Sequence, residues 1–448
     1  MNARKPNIIY IFSDQHRADA VGFENDPNVK TPNMDRLSQE GLRFSTAIAC
    51  MPVCAPYRAS LMTGQYPLTH GVFVNDVQLS NNAVSLGKAF KAGGYNTAYI
   101  GKWHLDGGNR KGFIPKERRQ GFDHWCVLNC THHYNESQYY GNEDEFMQWE
   151  GYDAFAQTKE AQSYISQYDD EKPFILVLSW GPPHNPYETA PKAYRDMYDP
   201  QRLTIRGNIP DACEEQAREE LAGYYAHISA LDDCLGDLMN EVEKKGIAED
   251  TIFIYTSDHG DMLHSHGEIR KQRPWDESIR VPFLLKYPRK FGDKAREVSI
   301  PFNTPDIMPT LLGLCGLSIP ETVEGINYAP HLLGEETLQV EEALIMCPHP
   351  FGEYIRAKNG REYRGIRTER YTYVKDLKGP WLLYDNMEDP LQTRNLVDLP
   401  QYEQLQEELD QRLMRLLKQR EDDFLPGEAY IHKWGYIVDK DGTVPFEG

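Results

Sequence analysis

Residues 54–64, CAPYRASLMTG, place a thiol, a proline and an arginine at the start of a short predicted helix. The thiol of Cys54 could be a core residue, half of a disulfide, a metal ligand or the precursor of a more reactive group. Proline is favoured in the first turn of a helix, so Pro56 is predicted to be the first helical residue. Cys54 then precedes a helix N-terminus, which attracts anions, and Arg58 can reach back towards Cys54 or a bound anion.

Two acidic segments directly follow predicted strands and offer ligands for a cation. SDQ at residues 13–15 follows the first strand, and SDHGD at residues 257–261 follows the fourth. Each aspartate alone could cap a turn, but their positions at two equivalent strand ends favour a metal site. Carboxylate and amide oxygens with one imidazole suit Ca²⁺, Mg²⁺ or Mn²⁺ better than zinc. The candidate ligands in these segments are Asp14, Gln15, Asp258 and His259.

Basic and imidazole side chains lie near other predicted strand ends. Lys102 and His104 belong to GKWH after the second strand, His184 belongs to GPPHNPY after the third, and Lys271 precedes the fifth. Singly, such residues are usually solvated or structural. Four of them converging on one sheet edge beside a cation would neutralise an oxyanion and supply general acids and bases.

The elements that position these residues follow from the apolar pattern. Five short apolar runs predict buried strands at residues 7–12, 95–100, 173–179, 251–257 and 281–287. Apolar residues recur at helical spacing from Leu221 to Val242, Gly246 ends that helix, and another helix is predicted around residues 306–316. Alternating strands and helices indicate an α/β sheet with helices on both faces, in which ligands lie beyond the carboxyl ends of the strands.

The pattern changes after about residue 344. Residues 363–375 and 380–386 predict an antiparallel hairpin or meander. An amphipathic helix follows, and its apolar positions are Tyr402, Leu405, Leu409, Leu413 and Leu416. We therefore predict a catalytic unit at residues 1–344 and a smaller α+β subdomain at residues 345–448.

Composition narrows the class of protein. The chain has 448 residues, 40% of them hydrophobic, and no run approaches the ~20 apolar residues of a membrane span. Its net charge of −20 argues against a nucleic-acid or anionic-membrane surface. Eight cysteines are too few for a disulfide scaffold, although Cys50 and Cys54 could pair or bind metal. Without a visible export signal the chain is predicted to be cytoplasmic, or periplasmic if it is a mature form.

Residues 54–64 resemble the signature of the type I sulfatases, in which this cysteine is oxidised to formylglycine. Further segments occur in family order: the SDQ strand end, GKWHL, PPHNPY, TSDHGDM, Lys271 followed by SIRVP, DIMPTLL and LLYDNMEDPLQTRNL. The resemblance implies an alkaline-phosphatase-like α/β fold with a large mixed, mostly parallel sheet and a small C-terminal antiparallel subdomain. It also implies sulfuric ester hydrolase activity and a maturation enzyme that generates formylglycine.

The resemblance further implies a role for each candidate residue. Hydrated formylglycine at position 54 would coordinate the cation, predicted to be Ca²⁺, attack sulfur with one hydroxyl and expel sulfate with the other. Lys271 and His184 would bind the sulfate and protonate the leaving alcohol. His104 would act as the base, and Arg58 and Lys102 would stabilise the hydrate and the developing oxyanion.

Departures from the family pattern leave alternatives open. Gln15 and His259 differ from the Asp and Asn of many sulfatases and also resemble phosphonate monoester and phosphodiester hydrolases; Tyr57 replaces a common serine. A protein that is never matured and only binds ligand is the other alternative. We predict a sulfated saccharide substrate from resemblance to bacterial carbohydrate sulfatases and from polar, aromatic loops at residues 110–125 and 131–146. These segments could equally be ordinary surface loops.

Overall fold

In the computed structural model, which describes residues 5–447, sixteen strands form three sheets. The strands are β1 (Asn7–Asp14), β2 (Leu42–Phe44), β3 (Ala47–Ile48), β4 (Asn96–Lys102), β5 (His124–Leu128), β6 (Gln138–Tyr140), β7 (Phe146–Gln148), β8 (Phe174–Pro183), β9 (Thr251–Ser257), β10 (Phe283–Lys286), β11 (Arg296–Val298), β12 (Phe302–Asn303), β13 (Glu342–Cys347), β14 (Tyr363–Thr368), β15 (Tyr371–Asp376) and β16 (Gly379–Asp385). The α-helices are α1 (Pro32–Gln39), α2 (Cys54–Thr63), α3 (Pro67–His70), α4 (Leu86–Ala92), α5 (Asp153–Gln167), α6 (Lys192–Arg195), α7 (Glu214–Lys245), α8 (Asp276–Ile279), α9 (Pro288–Phe291), α10 (Ile307–Leu314), α11 (Ala329–Leu332), α12 (Glu403–Gln419) and α13 (Gly427–Trp434).

The large sheet has ten strands in the order β11-β2-β10-β9-β1-β8-β4-β5-β6-β7. Its centre, from β9 to β5, is parallel, whereas β10 runs antiparallel to β9. The five predicted strands correspond to β1, β4, β8, β9 and β10, and the predicted α/β class with a mixed, mostly parallel sheet is confirmed. Because β1, β4, β8 and β9 run in the same direction, the segments that follow them meet at one edge.

Helices cover both faces of this sheet. The predicted stripe from Leu221 to Val242 is buried along α7, which packs with α1 and α5 on one face. Gly246 ends α7 with a left-handed φ of +75°, as predicted. Helices α2, α10 and α12 contribute to the core on the other face. The helix predicted around residues 306–316 is α10, preceded by a single 3₁₀ turn.

The C-terminal part contains a four-stranded antiparallel sheet, β13-β14-β15-β16. Helix α12 packs near it with Leu409, Leu413 and Leu417 buried, so that Leu417 rather than Leu416 completes the buried stripe. Strand β13 crosses residue 344. The boundary between a catalytic unit at residues 1–344 and a subdomain at residues 345–448 therefore stays a prediction. Residues 1–4 and 448 lie outside the described part. Within residues 5–447, the structure has no helix with the length and apolarity of a membrane span; the compartment also stays a prediction.

Gly101 lets the end of β4 approach β8 closely, just before Lys102. Its φ is +100°, and a Cβ atom at this position would lie 2.1 Å from the carbonyl oxygen of Ser179. We expect Gly101→Ala to lower the free energy of unfolding by about 3 kcal/mol, because the side chain adds a clash to an unfavourable backbone conformation. Chemical denaturation measures the change.

Gly94 offers a matched control for this substitution. Its φ is also positive, +87°, but a Cβ atom there has no neighbour within 4 Å among the described residues. Gly94→Ala is expected to cost about 1 kcal/mol from backbone strain alone. Equal losses in the two variants would show that the close approach of β4 to β8 contributes nothing.

Candidate active site

The carboxylates of Asp14 and Asp258 lie side by side because β1 and β9 are neighbouring parallel strands. Ser13 pairs with Ser257, and the next residue in each chain segment is one of the two aspartates. The backbone N–H of Gln15 donates to Asp258 Oδ1 at 3.0 Å, and Gln15 adopts a φ of +74°. The two acidic segments predicted to meet at one sheet edge therefore do so.

Helix α2 presents Cys54 to these carboxylates. The Sγ atom lies 3.1 Å from Lys271 Nζ, 3.4 Å from His259 Nε2 and 3.6 Å from Asp14 Oδ1. The helix begins at Cys54 rather than at Pro56, so the predicted start of the helix is wrong by two residues. The N–H groups of the first turn have no partner within a helix, which allows proline at the third position as well as the first.

Arg58 and Lys102 donate hydrogen bonds to the two carboxylates. Lys102 Nζ donates to Asp14 Oδ2 at 2.6 Å. The buried guanidinium of Arg58 donates to Asp14 at 3.2 Å and to Asp258 at 3.1 Å, and its other nitrogen donates to Ser179 Oγ at 2.7 Å. The sequence predicts that Arg58 reaches towards Cys54 or a bound anion; in the structure it bridges the two carboxylates, whose charge attracts it more strongly than a thiol does.

Charges in this site are strongly coupled. Burial opposes ionisation of Asp14, but Lys102 together with the other cationic groups nearby holds the pKa of Asp14 well below its usual value. Burial and the charge of Asp14 raise the pKa of Asp258 to about 6. Burial and Asp14 also oppose ionisation of Cys54, yet cationic neighbours lower its pKa well below the usual value; these are Lys102, Lys271 and His259. Cys50, by contrast, has its pKa raised to about 12 by burial, and neither thiol is in a disulfide.

The donor set fits a divalent cation. Ligand atoms of Asp14, Cys54, Asp258 and His259 all lie within 4.8 Å of one another and are buried. His259 donates from Nδ1 to the carbonyl of Gly260, which leaves Nε2 facing the carboxylates at 3.5 Å. Two adjacent buried carboxylates repel each other, and a cation between them would relieve that repulsion.

Gln15 supplies a further acceptor for such a cation. Its Nε2 donates to Asp261 Oδ2 at 2.7 Å, whereas its buried Oε1 has no hydrogen-bond partner within residues 5–447. An unpaired buried carbonyl is costly unless a ligand completes it. Asp261, which also accepts from the hydroxyl of Tyr187, was not singled out from the sequence; it lies within SDHGD, so only its role escaped notice.

His184 forms a stacked pair with His132. The two rings are 4.3 Å apart and nearly parallel, at 8°. Nδ1 of His184 donates to the carbonyl of Asn185 at 2.8 Å, so Nε2 is the free ring nitrogen. Burial, with Lys102 next, lowers the pKa of His132 to about 3. Burial, with Lys271 next, also lowers the pKa of His184. His132 lies in the polar loop predicted at residues 131–146, where no sequence pattern distinguishes it from its neighbours.

His104 is oriented by a carboxylate distant in sequence. Its Nε2 lies 3.3 Å from Asp76 Oδ1, and Asp76 accepts two bonds from Arg110, at 2.8 and 2.7 Å. Nδ1 of His104 has no hydrogen-bond partner in the described part of the chain. Although burial opposes the charged form, the negative charge of the nearby Cys130 thiolate and the hydrogen bond to Asp76 raise the pKa of His104 to about 10. No sequence pattern marked Asp76, which lies in an irregular loop.

The two segments predicted to be substrate-binding loops, residues 110–125 and 131–146, are only partly irregular. Residues 124–128 form β5, and residues 138–140 and 146–148 form β6 and β7 at the edge of the sheet. The sequence does not predict these short strands, because they are partly exposed, lack a continuous apolar run and are flanked by turn-forming residues. Arg110 and His132, however, reach the site through Asp76 and His184.

The mostly parallel sheet, with Cys54 on a helix beside clustered ligands and cations, has the alkaline-phosphatase-like fold of its structural neighbours. The family model "Sulfatase" matches residues 6–317, and that for the C-terminal part of N-sulphoglucosamine sulphohydrolase matches residues 265–419. The chain belongs to the sulfatase family and is a sulfuric ester hydrolase. Membership implies formylglycine and a divalent cation as general family features.

Relatives of known description cover nearly the whole chain. An ulvan-active sulfatase of Formosa agariphila is 44% identical, over 97% of this chain and 86% of that protein. An endo-4-O-sulfatase of Bacteroides thetaiotaomicron is 30% identical, over 94% of this chain and 93% of that protein. A solved structure from work on glycosaminoglycan metabolism by Bacteroides thetaiotaomicron superposes with a TM-score of 0.86 at 29% identity, covering 96% and 98% of the two chains.

Proposed function

We propose that the protein hydrolyses a sulfate monoester on a saccharide, with formylglycine made from Cys54 by a maturation enzyme. The observation that carries this proposal is the position of Cys54. At the first turn of α2, its Sγ lies within 3.6 Å of a lysine, a histidine and an aspartate from three other parts of the chain. Hydrated formylglycine has two hydroxyls on one carbon. One would attack sulfur and release the alcohol; the other would then lose its proton, so that the aldehyde re-forms and sulfate leaves by cleavage of the carbon–oxygen bond.

The cation is proposed to be Ca²⁺, with Mg²⁺ and Mn²⁺ as alternatives. Oxygen donors dominate the set, which suits a hard cation. The residues that would hold it are Asp14, Gln15, Asp258, His259 and the modified Cys54. When bound, the cation acts as a Lewis acid on the oxygens at position 54 and on the substrate sulfate. Arg58 and Lys102 keep the carboxylates in place and in the ionised state.

The remaining side chains handle the sulfate group and the protons. Lys271 Nζ lies 3.1 Å from Cys54 Sγ and would bind the sulfate oxygens. A bound sulfate ester adds negative charge beside His184 and therefore favours protonation of its free Nε2. This proton would be transferred to the leaving alcohol. The stacked His132 fixes the ring plane of His184. The neutral form of His104, with Nδ1 unpaired, would accept the proton from position 54; because the pKa of His104 is raised to about 10, the fraction in this form increases with pH.

Asp76 is a positioning residue for His104, and Asp76→Asn tests this role. Asparagine accepts the left-handed φ of +64° found here, so the backbone should stay unchanged. Removing the negative charge lowers the pKa of His104, so the rise of kcat with pH is expected to move to lower pH. The plateau of kcat is expected to fall about 10-fold, with KM nearly unchanged, because the imidazole becomes a weaker and less oriented base. The pH profiles of kcat and kcat/KM measure both effects.

Asp106→Asn is the matched control. Asp106 is a neighbouring carboxylate that pairs with Arg118 at 3.2 Å. In Asp106→Asn, kcat is expected to rise with pH over the same pH range as in the enzyme without substitutions. An unchanged profile in Asp76→Asn as well would remove Asp76 from the mechanism.

A saccharide substrate is supported by the relatives, and a cleft is present among residues adjacent in sequence to two of the candidate site residues. A cleft of about 540 Å³, large enough for sugar rings, opens next to the segments that carry His184 and Lys271. Its walls offer aromatic and charged side chains, among them Tyr187, Arg195 and Arg270. Relatives at 44% and 30% identity are named as an ulvan-active sulfatase and an endo-4-O-sulfatase.

Sulfate release from defined esters tests the proposed function. Ulvan oligosaccharides and sulfated mono- and disaccharides are compared with 4-nitrophenyl sulfate and a phenylphosphonate monoester. We expect kcat/KM to be highest for a sulfated saccharide. A phosphonate monoester preferred over every sulfate ester would instead support the phosphonate hydrolase. Mass spectrometry of the peptide containing residue 54 checks maturation; a fully active protein with only unmodified cysteine would contradict the proposal.

A further inference from the structure

A second cluster of metal-type donors lies outside the catalytic centre. His124 and Cys126 belong to β5, and Glu160 belongs to α5, which packs over the same face of the sheet. Side chains two residues apart on a strand point to the same face, so both donors of β5 meet α5. Within the described residues, this group and the catalytic ligands are the two sets of His, Cys, Asp or Glu whose ligand atoms gather this closely.

The spacing of the three donor atoms matches a tetrahedral zinc site. Bond lengths of about 2.0 Å to nitrogen and oxygen and about 2.3 Å to sulfur place ligand atoms about 3.3 Å apart for N and O, and about 3.5 Å apart for pairs with S. His124 Nε2 and Glu160 Oε1 are 3.2 Å apart. Cys126 Sγ lies 3.8 Å from the former and 3.7 Å from the latter. A small inward movement of the thiol would complete the geometry.

The chemistry of the donors favours the same class of metal. One thiol, one imidazole and one carboxylate suit Zn²⁺ rather than Ca²⁺, unlike the oxygen-rich catalytic set. A surface His–Glu ion pair has no need of a thiol, yet the Cys126 Sγ atom lies within 3.8 Å of both partners. A bound cation would make the Cys126 thiol a ligand. His124 and Glu160 are about one-third exposed, at 34% and 33%, which leaves an open position for water.

We propose that His124, Cys126 and Glu160 bind one zinc-type transition-metal cation that ties α5 to β5. On binding, the Cys126 S–H bond is replaced by a metal–sulfur bond and the proton passes to solvent. The strand so anchored ends at Leu128, and the next residue, Asn129, accepts the backbone N–H of His104 at 2.6 Å. The cation therefore stabilises β5, which supports one side of the active site, without contacting substrate.

Titration of the full-length protein with Co²⁺, in the presence of Ca²⁺, tests this site. Thiolate coordination to tetrahedral Co²⁺ produces a ligand-to-metal charge-transfer band and intense visible bands. We expect one equivalent of Co²⁺ to produce these bands in the protein without substitutions and in Cys54→Ser. In Cys126→Ser the bands are expected to be absent. Glu160→Gln retains the thiol and is expected to weaken Co²⁺ binding by more than about 10-fold. Zn²⁺ should displace Co²⁺ and raise Tm only where Cys126 is present.

Cys213→Ser is the matched control, since Cys213 is also partly exposed but lies outside the cluster. It is expected to bind Co²⁺ like the unmodified protein. Thiolate bands that survive in Cys126→Ser, or their absence from the unmodified protein, would overturn the proposal. Both readouts are independent of sulfate release, so this result stands or falls separately from the proposed function.

Discussion

Replacing Cys54 by serine is expected to lower kcat by at least about 10⁴-fold. The serine hydroxyl occupies the place of an Sγ atom 3.1 Å from Lys271 Nζ, so it can still attack the sulfate ester among the same cationic groups. It has no second hydroxyl on the same carbon, however, and the resulting sulfate ester cannot collapse to an aldehyde. Steady-state sulfate release measures the loss of turnover, and intact-protein mass spectrometry detects the covalently added sulfonate group.

Cys213→Ser controls for the general effect of exchanging a thiol for a hydroxyl. Cys213 is partly exposed and free, and it lies outside the site. This variant is expected to keep kcat and to gain no mass on incubation with substrate. Rapid steady-state turnover by Cys54→Ser would refute the mechanism that depends on two hydroxyls at position 54.

Removing the divalent cation is expected to lower kcat by about 10³-fold, equivalent to about 4 kcal/mol of transition-state stabilisation. Without the cation, Asp14 and Asp258 face each other with incomplete compensation from Arg58, and the pKa of Asp258 rises to about 6. Dialysis against EDTA, followed by titration with Ca²⁺, Mg²⁺ or Mn²⁺, measures the loss and its recovery. Tm is expected to rise with cation concentration, because the cation binds the folded state.

Asp258→Asn is expected to reproduce this loss and to prevent recovery by Ca²⁺ at moderate concentration. Asp232→Asn is its matched control. Asp232 is another buried carboxylate, which accepts backbone N–H groups of Asn33 and Met34 at 3.0 and 2.8 Å. Its substitution should lower Tm but leave kcat and the response to Ca²⁺ intact. An EDTA-treated enzyme that retains full activity, with metal shown to be removed, would exclude a cation from the reaction.

Much of the fold could be predicted because its central elements are unusually regular in sequence. Strands such as β1 and β9 are continuous apolar runs, as expected for strands buried on both faces, and the apolar stripe of α7 extends over many turns. Short edge strands were missed: β6 and β7 are partly exposed and carry no such run. The start of α2 was misplaced, since proline fits several positions of a first turn.

The candidate ligands could be predicted because parallel strands carry the residues that follow them to a common edge. Asp14 and Asp258, 244 positions apart in the numbering, needed only the assignment of two neighbouring strands. The resemblance to the sulfatases then suggested roles for Cys54 and the basic residues, and the structure places Cys54 and Lys271 beside the carboxylates. Their individual roles stay predictions until the variants are assayed.

The sequence by itself determined the alternation of strand and helix, the edge at which the candidate site lies and the residue types available there. Only the tertiary structure decided which side chains support them: Asp76 beneath His104, His132 stacked on His184, and Glu160 facing Cys126. Local periodicity reports which face of an element is buried. It carries no information on the distance between two irregular segments, because that distance depends on how the intervening elements close around the core.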